Sequence, residues 1–356
     1  MNLLMISGDK DLIKGNKGPF YYLLREFSKY WNRIDVICPV RGKNNLFFDN
    51  VHLHGVKNST HQIYKKAKEI YKHNEFDVVT AHDYPPFRHS KAAKKIYKKY
   101  GTPYMIEIHH IVGYPKAADF KEWLLKIYFE LFFRRVAKKA KAIRVVNQNQ
   151  TPTFLLLSGI KKSKMAYIPS FYIDKNVFKP QEKNKMYDLL FVGRLVKNKG
   201  LELLMEIKQK LPDLKMAIVG DGPMNCILRS KIEDLGLSGN VTFLGWLPDA
   251  RALAKVYFQS KVLLITSANE GGPRVGLEAL ACGTPVISTE VGIMSDVIKN
   301  GQNGYIVDWE VSEFVDRIKA ILEAPDMSDK AVESVKKFDY ETMIKDYAQG
   351  IKKIIN

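Results

Sequence analysis

At 356 residues the chain exceeds one ordinary hydrophobic core and suits two domains. Its three cysteines, Cys38, Cys226 and Cys282, lie far apart with no CxxC pair, which argues against a disulfide framework or a zinc site and fits a reducing compartment. The formal net charge is +18, and all of it sits early: residues 1–175 hold 32 Lys+Arg against 14 Asp+Glu, while 176–356 hold 24 of each. Such asymmetry predicts an anionic partner for the first half, with a Lys-rich solvated surface as the plainer alternative.

The opening "MNLLMIS" has no basic region before it and no cleavage site, so it reads as a strand rather than a signal peptide, and no apolar run reaches bilayer length. A helix opened by Pro19 and a strand at 33–39 follow. Next come a helix at 63–74, a strand at 76–82, a helix at 90–101 and a strand at 103–110. A long helix around 118–140 leads into "AIRVVNQ". The polar stretch 167–186, with two prolines, is the expected linker. Strands at 187–194, 214–219, 241–247, 261–267 and 284–289 alternate with helices at 200–212, 225–237 and 274–282. Strands separated by helices at this spacing predict two doubly wound parallel sheets, with ligands beyond the carboxyl ends of the strands.

Three stretches carry chemistry. In "FVGRLVKNKG" a strand ends at Gly193, and Arg194 and Lys199 flank a polar loop, a receptor for a diphosphate or merely a solvated basic loop. In "SANEGGPRVGLEALACGTPVIS" the glycines bare N–H groups at a helix start, where the dipole favours anions, and Pro273 suits the first turn. Glu270 on the loop and Glu278 in the helix could accept hydrogen bonds from sugar and ribose hydroxyls, although Glu270 would serve the helix dipole equally well. "DKD" at Asp9–Asp11 has the form of a metal-binding DxD.

Together "FVGRLVKNKG", "IVGDGP", "VTFLGWLP" and "SANEGGPRVGLEALACGTPVISTEVGIMSDVIKNGQNGYIV" resemble the donor half of the GT-B glycosyltransferases, in particular retaining family 4, in order and spacing. The resemblance covers almost the whole chain. It implies two Rossmann-like domains facing each other across a cleft: an acceptor domain at 1–173, a linker at 174–186, a donor domain at 187–335 and a last helix at 336–356 returning toward the first. It implies donor binding by Gly18, Gly193, Arg194, Lys199, Glu270, Gly271, Gly272, Pro273, Arg274, Val275 and Glu278, with His109, Arg194, Lys199 and Glu270 as the catalytic set. The implied donor is a nucleotide-diphosphate sugar, used without a metal or cofactor, so the DxD reading falls away. Several positions depart from the family. Lys17 stands where it has the first of two glycines, His110 where it often has Asp, and Asn147 where it has Ser. "SFYID" replaces Asn-Gly before the Ile-Asp.

Within the long helix, Phe120, Trp123, Leu124, Ile127, Tyr128 and Leu131 form a stripe expected to pack on the sheet. Leu125, Phe129 and Phe133 step along the opposite side, accompanied by Lys121, Lys126, Arg134, Arg135, Lys138 and Lys139. This second face predicts docking on an anionic membrane, peripheral and cytoplasmic, with burial on both sides or a dimer contact as the alternatives. The acceptor expected there is lipid- or polyprenyl-linked. The rival readings are a soluble synthase acting on free sugar or α-glucan, a silent sugar-nucleotide sensor, and a nucleic-acid-binding protein. Nucleic acid is not the expected partner, because the aromatic and basic residues follow helix-packing spacing rather than a stacking platform.

Overall fold

The computed structural model describes residues 1–40, 45–181, 184–247, 249–323 and 325–355, so residues 182–183 of the expected linker lie outside the described residues. The chain divides into two compact units. One comprises Met1–Ile111, Leu124–Ser170 and Glu341–Asn356, and the other Val112–Trp123 and Phe171–Tyr340.

The first unit holds strands β1 (Asn2–Ile6), β2 (Arg33–Cys38), β3 (Asn45–Phe48), β4 (Val51–Gly55), β5 (Val78–His82), β6 (Tyr104–Ile108), β7 (Ala142–Val145) and β8 (Met165–Tyr167). They form one sheet in the order β3-β4-β2-β1-β5-β6-β7-β8, parallel except for the edge pair β3–β4. Its helices are α1 (Pro19–Phe27), α2 (Thr60–Ile70), α3 (Arg88–Tyr100), most of α4 (Phe120–Ala137) and α5 (Gln150–Leu157). Strands β6 and β7 are buried throughout, as expected of a parallel sheet covered on both faces. Periodicity does not reveal β3 and β4. In "VHLHG" the histidines interrupt the apolar run, and Val51 and Leu53 alone are buried.

The second unit holds β9 (Tyr187–Val192), β10 (Met216–Val219), β11 (Val241–Gly245), β12 (Ser260–Ile265), β13 (Val286–Thr289) and β14 (Gly304–Val307), all parallel, in the order β11-β10-β9-β12-β13-β14. Helices α6 (Leu201–Lys210), α7 (Asn225–Asp234), α8 (Ala250–Phe258), α9 (Arg274–Ala281), α10 (Met294–Val297), α11 (Val311–Glu323) and α12 (Ser328–Val335) complete it, and α13 (Tyr340–Ile355) belongs from Glu341 on to the first unit. Helix α6 packs with α11, and α9 with α8 and α12. Strand order reverses between β9 and β12. The loops leaving these two strands therefore diverge and open a crevice at the carboxyl edge, the usual ligand position in such sheets.

Helix α4 overturns one expectation. Its start is capped by Asp119, whose Oδ1 accepts from Glu122 N (2.9 Å), while Glu122 Oε2 reaches back to accept from Ala118 N (2.8 Å). Its two apolar faces are exchanged in part relative to the sequence reading: Ile127 and Tyr128 of the stripe expected inward are half-buried, Tyr128 lying 5.8 Å from the Phe87 ring, and Leu125 of the other face is half-buried too. Phe129 and Phe133 are core, packed edge-on or tilted against Phe87 at 5.1 and 5.4 Å between ring centres, and Phe129 also meets Phe154 at 5.3 Å. Phe120 is 71% exposed and Leu131 64%, with Trp123 and Leu124 close to half. When both faces are apolar, periodicity cannot say which one turns inward; the aromatic cluster around Phe87 decides it. Among the described residues no helix is long and apolar enough to cross a membrane.

Candidate active site

At the reversal point of the second sheet the predicted residues of that unit fall into two groups, one of Gly193, Lys199 and Glu270 and one of Arg274 and Glu278 on α9. Lys199, on the loop after β9, reaches Glu270, on the loop after β12, with Nζ 2.7 Å from Oε1 and both side chains largely buried. Ser267 Oγ donates to the same carboxylate oxygen. The loops are fastened by Ala268 N donating to Asn198 O (2.8 Å) and Thr266 Oγ1 to Lys199 O (2.8 Å). This approach needs glycine at 200, where φ is +66° and a Cβ would stand 1.9 Å from Thr266 O. Lys199 also lies over Gly193, and Arg194 beside it is exposed.

Past Glu270, Gly271 and Gly272 lie under Gly292 and Phe171. A Cβ at Gly272 would come within 2.1 Å of the Phe171 ring, so the aromatic residue that replaces the family's Asn-Gly region occupies that space. Pro273 is the residue preceding α9 rather than part of its first turn, because its ψ of 101° is extended, and Arg274 begins the helix. Val275 follows in that first turn. Arg274 stacks on Tyr172 (4.9 Å) and reaches Glu278, with Nη2 3.8 Å from Oε1. Glu278 is buried and accepts from Tyr257 OH at 3.0 Å; burial raises its pKa, against the pull of Arg274 and Tyr257.

The sequence reading missed the residues that hold these loops. Buried Asn269 donates to Lys116 O (2.9 Å) and to Glu122 Oε2 (2.8 Å), and Trp309 Nε1 donates to Ser267 O (2.9 Å). Nothing local in "SANEGG" signals partners so distant in sequence.

In the first unit His109 follows β6 at the carboxyl edge. Its Nε2 is 3.4 Å from Arg144 Nη1 and 3.5 Å from Glu107 Oε2, and its ring stacks on His82 at 4.3 Å. Arg144 is fully buried, donating from Nε to Ile168 O and from Nη2 to Pro169 O. Burial alone would raise the Glu107 pKa, but Arg144, His109 and the Tyr347 hydroxyl outweigh it and hold the carboxyl at about 2. A folded-state pKa below the unfolded value means that Glu107 stabilises the fold fully above about pH 4.5 and loses that contribution as pH falls toward 2. Glu107→Gln should therefore flatten the loss of thermal stability over that window; an unchanged acid limb would contradict it.

Other positions fall outside these clusters. Asp9 Oδ1 accepts from Asp11 N (3.0 Å) and Leu12 N (2.8 Å), closing a turn, and Asp11 faces Lys14. Among the described residues no three His, Cys, Asp or Glu side chains gather as metal ligands. Gly18 precedes α1 with space around it, and Lys17 lies over the Tyr21 ring. Asn147 Oδ1 accepts from Thr151 N (2.8 Å), so this replacement for serine supports the start of α5.

Comparison with known proteins agrees with this layout. Residues 20–172 match the model of Glycosyltransferase Family 4 and residues 173–338 that of Glycosyl transferases group 1. The uncharacterized glycosyltransferase MJ1607 of Methanocaldococcus jannaschii is 38% identical over 127 residues, 35% of this chain and 32% of that protein. The lipopolysaccharide core biosynthesis glycosyltransferase LpsE of Rhizobium meliloti is 37% identical over 121 residues, 34% of each. The matches thus span about a third of these relatives. The structure of HepE from Anabaena in complex with UDP superposes with a TM-score of 0.73 at 19% identity, over 99% of both chains. With the two family models meeting at residue 172 and two Rossmann-like sheets in place, the chain belongs to the GT-B glycosyltransferases.

Proposed function

We infer that the protein transfers a sugar from a nucleoside-diphosphate donor, bound by the second unit, to a lipid-linked or glycan acceptor at a membrane surface. The observation that carries this reading is the Lys199–Glu270 pair at the point where strand order reverses, beside exposed Arg194 and the start of α9. Expelling a nucleoside diphosphate leaves negative charge on the departing phosphates, and preorganised cations and helix N–H groups stabilise that charge most directly. Arg194 and Lys199 supply the cations, so no metal is required. Glu270, positioned through Oε1 by Lys199 and Ser267, serves to hold sugar hydroxyls rather than to act as a covalent nucleophile of the glycosidase kind. Transfer with retention then proceeds by attack on the face the leaving group vacates. HepE, of like fold, is described in complexes with UDP and UDP-glucose, and LpsE acts in lipopolysaccharide core biosynthesis, which supports a nucleotide-sugar donor and a glycan product.

The test is a thermal-shift panel of nucleotide sugars, since a ligand that binds the folded state raises apparent stability with its affinity. A donor should raise Tm equally well with EDTA present. Glu278→Gln should weaken free UDP or its counterpart as well as the donor, because the buried carboxylate would face the ribose. Glu270→Gln should weaken the intact donor alone. No response to any nucleotide sugar would defeat the reading, and equal effects of both variants on both ligands would defeat the division of roles.

A further inference from the structure

His109 stands on a buried charge pair, and that pair is tied to α13, more than 200 residues away in sequence. Glu107 Oε1 accepts from Tyr347 OH at 2.6 Å, across a sequence separation of 240 residues. Glu107 Oε2 faces Arg144 Nη1 at 3.3 Å, and the Arg144 guanidinium carbon lies over the Tyr347 ring, 3.6 Å from its centre. His109 Nε2 meets both members, a donor-only guanidinium at 3.4 Å and an acceptor-only carboxylate at 3.5 Å. His82, another titratable neighbour, is stacked on the ring and buried; burial lowers its pKa to about 3, so it contributes no charge.

We propose that Tyr347, Glu107 and Arg144 are positioning residues that fix the ring orientation and proton placement of His109, which makes α13 a working part of the site. This rests on the reading of His109 as an active-site group. The logic is a balance. One carboxylate and one guanidinium face the same ring nitrogen, and Tyr347 tempers the carboxylate by donating to its other oxygen. Replacing the carboxylate by a neutral amide weakens the acceptor at Nε2 against the guanidinium donor, which drives the ring proton toward Nδ1. Removing the guanidinium leaves only an acceptor, which draws the proton to Nε2. Removing the Tyr347 hydroxyl strengthens the carboxylate and moves the proton the same way, by less.

The experiment is 15N NMR of side-chain-labelled histidines in the full chain at alkaline pH, with His109 assigned by the signals lost in His109→Gln. Glu107→Gln should shift the His109 tautomer ratio toward Nδ1–H, and Arg144→Met and Tyr347→Phe toward Nε2–H, with the other histidines unmoved apart from stacked His82. A purely structural role would loosen the ring alike in every variant, so shifts of one direction in all three, or none, overturn the proposal. If Arg144→Met does not fold, Tyr347→Phe supplies that arm. Failure of the underlying reading is a separate result: normal sugar-transfer turnover in His109→Gln, whatever the tautomer shifts.

Discussion

Arg194→Ala or Lys199→Ala should each cut sugar-transfer turnover by two to three orders of magnitude, since a preorganised group at developing charge contributes roughly 3–4 kcal/mol. The two variants differ in what else they disturb. Arg194 is exposed, so its loss should leave thermal stability unchanged and act on the departing diphosphate alone. Lys199 is largely buried against Glu270 and over Gly193, so its removal strips the buried carboxylate of its cation and leaves it the Ser267 hydroxyl. Lys199→Ala should therefore lose some stability as well as turnover. Lys199→Arg keeps the charge, but a planar fork replaces a point donor, so it should recover part of the activity. Turnover near normal in folded Arg194→Ala and Lys199→Ala would remove the diphosphate role from both residues.

Lys199 and Glu270 could be singled out in the sequence because each sits in a motif with its own local logic: a strand, a glycine, then cations, or a strand, glycines, then a helix. Their pairing could not be read, because it depends on β9 and β12 lying side by side and on the close approach permitted at Gly200. The same holds for His109. Its place at the end of β6 follows from alternation, whereas its support comes from Arg144 on β7 and Tyr347 on α13, whose positions next to Glu107 are tertiary facts. The pattern of Glu278 was legible and its environment was not; Tyr257 on α8 gives no signal of contact in "ARALAKVYF". A helix apolar on two sides is the case that pattern does not resolve. Apolar residues at helical spacing on both faces of α4 leave the inward face undetermined, and the choice falls to aromatic neighbours contributed by Phe87 and Phe154.

That exchange of faces changes what membrane docking should require. The exposed stripe of Phe120, Trp123, Leu124 and Leu131 lies at i, i+3, i+4 and i+11, with Phe120 and Trp123 stacked at 5.4 Å, and exposed Lys121, Arg134, Arg135, Lys138 and Lys139 accompany it. An apolar stripe edged by cations suits shallow insertion at a headgroup boundary, and tryptophan favours that level. Each Lys or Arg near an anionic surface contributes about 1 kcal/mol, so a handful would hold the protein reversibly. Salt screens the charges but not the apolar contact. Binding to phosphatidylglycerol-containing vesicles should accordingly fall with salt without vanishing. Replacing Phe120, Trp123, Leu124 and Leu131 by Ser should abolish the salt-resistant part and leave Tm and donor binding intact. Phe129→Ser or Phe133→Ser should instead destabilise the fold, since emptying a buried aromatic site costs about 3–5 kcal/mol. Charge reversal at Arg134, Arg135, Lys138 and Lys139 should remove the salt-sensitive part. If the folded protein ignores such vesicles even at low salt, the acceptor is soluble and the exposed stripe must serve another contact.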